Sequence, residues 1–460
     1  MIAPFLTLLS LPLVWSAATD SPVEVVESDI VVIGGGGGGA HAAIKVQQAG
    51  KKVVLIEREN RLGGHVNTYK DPATGQTYDY GVQLFYNNTA TTSFFEHFDI
   101  PLVSAGAGSE GGSQNLYNFA NNSDFPDSVP NQQELLAAAF KNYSAQLAKY
   151  PSIVDTYDLP DPVPEDLTIS FGDFVNKYGL AALVLPASLY NQIGNVLALP
   201  TLYIMKALNA LQIQAISTGG FVANGLDNNQ LLYDRVQAEL GSNVFLQSHV
   251  YRIVRKERGV QVYVSTPTGT KLIKACKLLI AIPPLASNLG FLDLDASEKE
   301  LLSTFTFNYY YDSIVENTGL PANVTQVNVG SLQTLLLPQL PDVYVIRPSN
   351  IPGISSAYYG SYSFQSKEQV IAAILQRCAE LRKAQGLPEP QQPTTVSELN
   401  DHKPYELVVT GEQIAAGFYK KLQALQGAKH TWWTGAAWRT HVSSEIWDFN
   451  EKHIIPELLK

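Results

Sequence analysis

Residues 29–33 (Asp-Ile-Val-Val-Ile) form a short β-branched run, the pattern of a strand buried on both faces of a parallel sheet. Six glycines follow, Gly34 to Gly39. From Ala40 to Ala49 the apolar positions Ala42, Ala43 and Val46 recur at helical spacing, and Gly50 supplies a stop. Val53 to Ile56 reads as a second strand that ends on Glu57. The four pieces make one compact βαβ unit.

The pattern then changes. Aromatic and amide residues dominate from Thr89 to Ser217, with helical spacing over Gln133–Lys149 and Leu180–Gln212. The second stretch is apolar but broken by Asn191, Asn195, Pro200 and Lys206, so it predicts a buried or pocket-lining helix pair and not a membrane span. Alternation returns at Val244–Leu246, Val250–Val254, Val260–Val264 and Leu272–Ile273, with a turn at Pro267-Thr268-Gly269. Leu278 to Ile282 is a further apolar strand closed by Pro283 and Pro284. Beyond it, aromatic clusters stand at Tyr309–Tyr311 and Tyr358–Tyr362, and helices are expected over Glu412–Gln426 and near Glu451–Leu459.

Composition narrows the function class. The 460-residue chain carries a net charge of −11 and has no Lys/Arg-rich stretch. Binding to nucleic acid or to an anionic lipid surface needs clustered cations, so both are set aside. The eight histidines are scattered, none pairs with cysteine at ligand spacing, and no metal site is expected. Cys276 and Cys378 are the only cysteines, and their strand and helix patterns predict two buried free thiols. The opening segment, Met1 to Ala18, has an apolar run from Ile2 to Trp15 ending in Ser16, Ala17 and Ala18, which reads as a secretory signal. Asn87, Asn121, Asn142 and Asn323 are glycosylation sequons. The expectation is a secreted, glycosylated enzyme.

The chemistry begins at Gly34-x-Gly36-x-x-Gly39 between strand and helix, with Glu57 at the end of the next strand. Gly34 permits a tight turn, Gly36 lets the backbone approach a pyrophosphate, and Gly39 lets the helix pack on the sheet. The helix N-terminus then offers free N–H groups and a partial positive charge to phosphate. Glu57 stands where an acid can accept two ribose hydroxyls. Arg61-Leu62-Gly63-Gly64-His65 comes directly afterwards.

With that second element the stretch Val31 to Phe85 resembles the opening of the flavin-containing amine oxidase superfamily. The resemblance implies that FAD is bound, with Arg61, Gly63 and Gly64 on its diphosphate and flavin side. Asp79-Tyr80-Gly81 matches the next short turn of the family pattern, and Val250 the position lying along the adenine. Leu278–Pro284 matches a strand ending in Pro-Pro, and Thr434-Gly435 the C-terminal flavin-binding element. His65 stands where many members carry Arg or Lys, and Ala436, Ala437 and Trp438 stand where a Glu is usual. The chain looks most like secreted fungal FAD-dependent oxidoreductases of the β-cyclopiazonate dehydrogenase kind. The implied fold is α/β, a glutathione-reductase-like FAD-binding Rossmann domain (28–86, 216–290 and 428–460) interleaved with an α+β substrate domain (87–215 and 291–427).

His65 is a candidate contact to the cofactor, polar or covalent, the alternative being a cap on its turn. Trp438 and Tyr359 are candidates for the substrate pocket, with Trp432, Trp433, Tyr190, Tyr203 and Tyr309 weighed between pocket and core. The mechanism implied by the resemblance is hydride transfer from a small organic substrate, an amine or indole-type metabolite, to flavin N5, with O2 as acceptor. The alternatives are a non-redox isomerase of polyunsaturated fatty acids, whose lipid tail the 180–215 stretch would suit, and a flavin-binding protein without catalysis. No general base is identified.

Overall fold

A computed structural model describes residues 24–105, 113–125, 132–192 and 194–460. The leader, Met1 to Ala18, lies outside the described residues. Among the described residues no helix is long and apolar enough to cross a membrane.

Strand Glu24–Ile33 lies between Val53–Ile56 and Gly269–Ile280, parallel to both. Val31, Val32 and Leu55 have no solvent exposure, which is why both strands are β-branched or aliphatic at every inner position. Val244–Phe245 extends one edge in parallel. On the other side, the 12-residue strand Gly269–Ile280 pairs first with the antiparallel hairpin strand Gly259–Thr266 and then with Thr431–Trp433. The sequence expectation of separate strands at Leu272–Ile273 and Leu278–Ile282 thus merges into one strand. Its two halves differ because one pairs with a hairpin and the other with the C-terminal segment. This seven-stranded sheet draws on residues 24–56, 244–280 and 431–433.

The glycine run is not a loose loop. The helix is Gly37–Gln48 and takes three of the six glycines into its first turn. A Cβ on Gly39 would fall 1.9 Å from the Gly34 carbonyl oxygen, and one on Gly38 would fall 2.9 Å from Ile446 Cγ2. The C-terminal helix Ser443–Phe449 and the turn after it occupy that space. Trp447 Nε1 donates to the Gly37 carbonyl at 3.0 Å, and Asn450 Nδ2 to that of Gly38 at 2.8 Å.

A second, eight-stranded sheet runs in the order Thr395–Asp401, Thr306–Glu316, Ile354–Ser361, Asp342–Pro348, Val324–Asn328, Ser113–Asn118, Ser123–Asp124, with Tyr405–Val408 also on Thr306–Glu316. Helix Lys367–Ala384 covers one face, where Tyr311, Val315 and Tyr359 pack with Val370, Ile374 and Cys378. Side chains alternate along a strand, so Tyr310, Asp312 and Tyr358 face the other way.

Several local expectations change. Leu180–Gln212 is four short pieces, from Ala181–Leu183 to Ala210–Thr218, because Gln192 and the Leu199-Pro200 turn interrupt it. Glu412–Gln426 splits at Gly417, which has φ +81°. Cys378 is buried, and burial pushes its thiol up to about 12, but Cys276 is exposed. The expectation of two buried thiols fails at Cys276, which lies on the long strand at a position turned outward.

Candidate cofactor and active site

A cavity of about 1380 Å³ lies between the two sheets. It exceeds the roughly 300–1,000 Å³ of an ordinary small-molecule site, so it has room for a dinucleotide and a substrate together. Gly34, Gly36, Glu57, Arg61, Gly63, Gly64, His65, Val250 and Gly435 all line it. Gly39 does not, because its place is the helix–sheet contact described above.

The dinucleotide end is built by close backbone approach. Gly36 and Gly63 form a bridge, and Gly63 N–H donates to the Gly35 carbonyl at 2.9 Å. Gly63 and Gly64 have φ of +114° and +56°, and a Cβ on Gly64 would lie 3.0 Å from Gly36 Cα. Gly81 supports this turn from behind, since its Cβ would meet the His65 carbonyl oxygen at 2.3 Å. The helix Gly37–Gln48 has no side-chain cap and no acid in its first turn, leaving its amide dipoles toward the cavity end free of a competing anion.

Glu57 closes its strand by accepting Gly35 N–H at 2.6 Å and Glu59 N–H at 2.9 Å, one on each oxygen. A carboxylate has about four acceptor positions, so both oxygens can still accept a ribose hydroxyl. Arg61 donates to Gln230 Oε1 and Asn67 Oδ1, both at 2.8 Å, and among the described residues its partners are all neutral oxygens. A guanidinium with only neutral partners at a cavity wall fits an anionic diphosphate. The residues therefore fit FAD: Glu57 for the ribose, the glycine turns and Arg61 for the diphosphate, and Gly435 at the flavin side.

The other end is aromatic and polar. Tyr310, Tyr358, Tyr405, Tyr190, Asp312 and His402 line it, with His65 and His441 between the two ends. His65 is exposed to the cavity and surrounded there by protein groups. Burial first, then the nearby His402, His441 and Arg61, hold its imidazole well below its ordinary value, so it is neutral at pH 7. The His65 and His402 rings meet edge to face at 4.4 Å, and Tyr405 lies 4.4 Å from His441. Asp312 is buried and accepts from His402 Nε2 at 2.7 Å, Asn400 Nδ2 at 2.9 Å and Asn67 Nδ2 at 3.2 Å. Among the described residues no group of His, Cys, Asp and Glu could hold a metal ion.

Both pocket candidates are misplaced by the sequence reading. Trp438 is fully buried and stacks on Trp433 at 5.9 Å, away from the cavity. It follows Gly435 as expected, but the short turn Ala436–Trp438 carries the ring inward. Tyr359 packs under helix Lys367–Ala384, and its neighbour Tyr358 lines the cavity instead. Tyr310 replaces Tyr309 for the same reason, since alternate residues of a strand face opposite sides. Tyr203 is a core residue bonded to Tyr419 Oη and Val409 N, whereas Tyr190 does line the cavity. Trp433 is buried and Trp432 faces Lys277 on the outer side. Asn67, Asp312, His402 and His441 were missed. They are far apart in sequence and carry no motif.

Comparison with known proteins agrees with this geometry. Residues 32–98 match the NAD(P)-binding Rossmann-like domain family. The chain is 39% identical to the FAD-dependent oxidoreductase oblC of Cochliobolus heterostrophus, over 100% of this chain and 97% of that protein. It is 33% identical to the FAD-dependent oxidoreductase pigF of Monascus ruber (97% and 95% covered) and 31% identical to β-cyclopiazonate dehydrogenase of Aspergillus oryzae (93% and 92%). In fold it is similar to a conjugated-linoleic-acid-producing fatty acid isomerase from P. acnes, with TM-score 0.76, 20% identity and 93% and 98% coverage. It is also similar to putrescine oxidase bound to putrescine, with TM-score 0.67, 16% identity and 95% and 100% coverage. With whole-length relatives of this kind and a cavity built for the cofactor, the chain belongs to the FAD-dependent oxidoreductase family.

Proposed function

We propose that this enzyme is an oxidase that dehydrogenates a small organic molecule, an amine or an indole-type metabolite, with O2 as electron acceptor. The observation that carries the reading is the continuity of one cavity from the glycine turns and Arg61 to the tyrosine wall of Tyr310, Tyr358 and Tyr405. FAD, when bound, supplies the hydride acceptor and the route of the electrons to O2. The tyrosine wall offers flat apolar faces that hold a ring or alkyl amine and exclude water. Neutral His65 adds no positive charge to repel a cationic amine. The relative named β-cyclopiazonate dehydrogenase supports a dehydrogenation of this kind.

The fatty acid isomerase reading loses its main sequence support. Of the described residues of the 180–215 stretch, only Leu189, Tyr190, Gln192 and Gln212 reach the cavity, and two of these are amides. Anaerobic mixing of the holoprotein with tryptamine, putrescine or linoleic acid separates the two. An oxidase substrate bleaches the flavin, and O2 restores the colour with peroxide formed. Conversion of linoleic acid at equal rate without O2, leaving the flavin oxidised, would establish the isomerase.

Secretion is part of the same proposal. The asparagines of all four sequons, Asn87, Asn121, Asn142 and Asn323, are exposed and open to glycosylation. An extracellular enzyme meets O2 but has no supply of reduced nicotinamide, which favours an oxidase. Mass spectrometry of the protein from its native host decides the matter. A retained Met1 end and four unmodified asparagines would overturn it.

A further inference from the structure

We infer that His402, oriented by Asp312, is the proton acceptor of the dehydrogenation, taking the proton from the substrate heteroatom on its Nδ1. This rests on the oxidative reading above and supplies the base that the motifs leave unnamed.

The geometry is that of an oriented imidazole. Asp312 sits in the middle of strand Thr306–Glu316, and His402 directly follows its neighbour strand Thr395–Asp401. The His402 backbone N–H donates to the Tyr310 carbonyl at 3.0 Å, fixing where the ring starts. An ionised carboxylate can only accept, so at 2.7 Å the His402 Nε2 must carry the hydrogen. In the neutral ring Nδ1 then holds the lone pair. Among the described residues the His402 side chain is hydrogen-bonded through Nε2 alone, and the residue lines the cavity.

Asp312 is built to be half of a charge pair. It accepts from Asn67 and Asn400, and among the described residues no Lys or Arg pairs with it, so apart from His402 it is met only by amide dipoles. An imidazolium at His402 would complete the pair at hydrogen-bond distance. The titratable groups facing His402 are His65 from the paired-glycine turn, Tyr310 from the central strand, and Tyr405 and His441 beyond them. His65 stays neutral there, so it sets no positive charge against a proton on His402.

The step balances for a substrate H–X–C–H, with X a nitrogen or oxygen. The C–H bond breaks with its electron pair, and that hydride goes to FAD, the oxidant of this family. The X–H bond breaks, its proton goes to His402 Nδ1, and its electrons form the C=X double bond. The ring then holds two N–H groups, one shared with Asp312.

Nitrogen-15 NMR of histidine-labelled holoenzyme reads the tautomer directly, with His402 assigned by its loss in His402→Gln. The Nε2–H form is expected in the wild type and the Nδ1–H form in Asp312→Asn, whose amide can donate in place of accepting. With tryptamine or putrescine, His402→Gln should keep its FAD content and bleach about 10²–10⁴-fold slower than wild type without air, and Asp312→Asn should slow at least about 10²-fold. An Nδ1–H wild type, or His402→Gln bleaching at the wild-type rate, overturns the assignment and leaves the oxidase reading standing. A wild type that neither bleaches nor consumes O2 with either amine overturns the oxidase reading, and this step falls with it.

Discussion

His65 and His402 touch edge to face at 4.4 Å, one from the paired-glycine turn of the cofactor sheet and the other from the end of a strand in the second sheet. Two residues beyond His65, Asn67 makes the same crossing: it accepts from Arg61 at 2.8 Å and donates to Asp312 at 3.2 Å. Both domains therefore meet on a few polar side chains at the cavity wall.

Asn67→Ala should destabilise the protein by about 1–3 kcal/mol, since it strips one donor from buried Asp312 and one acceptor from Arg61. Urea unfolding of the holoprotein measures this. A stability change below a few tenths of a kcal/mol would show that the crossing contributes nothing.

Glu57→Ala should weaken FAD retention by about 1–3 kcal/mol, the cost of leaving ribose hydroxyls without a charged acceptor. It also releases Gly35 N–H and Glu59 N–H, so the empty turn should loosen as well. Fluorescence titration of apoprotein with FAD gives the first effect. Retention equal to wild type would mean that the ribose is held elsewhere.

Gly39→Ala should be among the most damaging single methyl additions, costing about 3 kcal/mol or more, because the new carbon would lie 1.9 Å from backbone that cannot yield. Gly50→Ala is the control: its Cβ meets nothing within 4 Å, and only its φ of +79° opposes it. Thermal unfolding of the two variants should separate them clearly, with Gly50→Ala losing about 1 kcal/mol.

Trp438→Ala should act on stability. The ring is fully buried against Trp433, so its loss should cost about 3–5 kcal/mol, while the variant that still folds reduces its flavin at close to the wild-type rate. A stable Trp438→Ala protein with slow flavin reduction would return the ring to the active site.

His41 carries a pH signature. It lies fully buried between Phe94 and Trp447, and burial, its largest influence, holds its imidazole below the ordinary 6.5. The unfolded chain therefore takes up a proton near pH 6.5 that the folded chain refuses. Stability is fully present above that value and is lost as pH falls below it, by up to about 1.4 kcal/mol per pH unit. His41→Phe should flatten the decline between pH 6.5 and 5 in denaturant titrations. A steeper decline in the variant would reverse the sign and refute the assignment.

The cofactor half was legible in the amino-acid sequence because its determinants are local. A strand that must be buried on both faces is aliphatic throughout, glycine is required where backbone meets backbone, and an acid ends the next strand. Strand, turn, helix and Glu57 lie within one short stretch, so their order alone predicts the Rossmann unit and the FAD that the whole-length relatives share. Even there, that Gly37–Gly39 are helical was decided at long range, by Ile446, Trp447 and Asn450 packing onto them. The substrate half was not legible. Which of Tyr358 and Tyr359, or Tyr309 and Tyr310, faces the cavity depends on strand register, and a one-residue change of phase turns every side chain to the other face. Trp438 was drawn inward by a turn whose path only Trp433 and the surrounding core determine. Asp312, His402 and Asn67 belong to three separate elements, and nothing in the neighbourhood of each announces the others. Their chemistry exists only once two sheets close on one cavity and bring a carboxylate, an imidazole and an amide within hydrogen-bond reach.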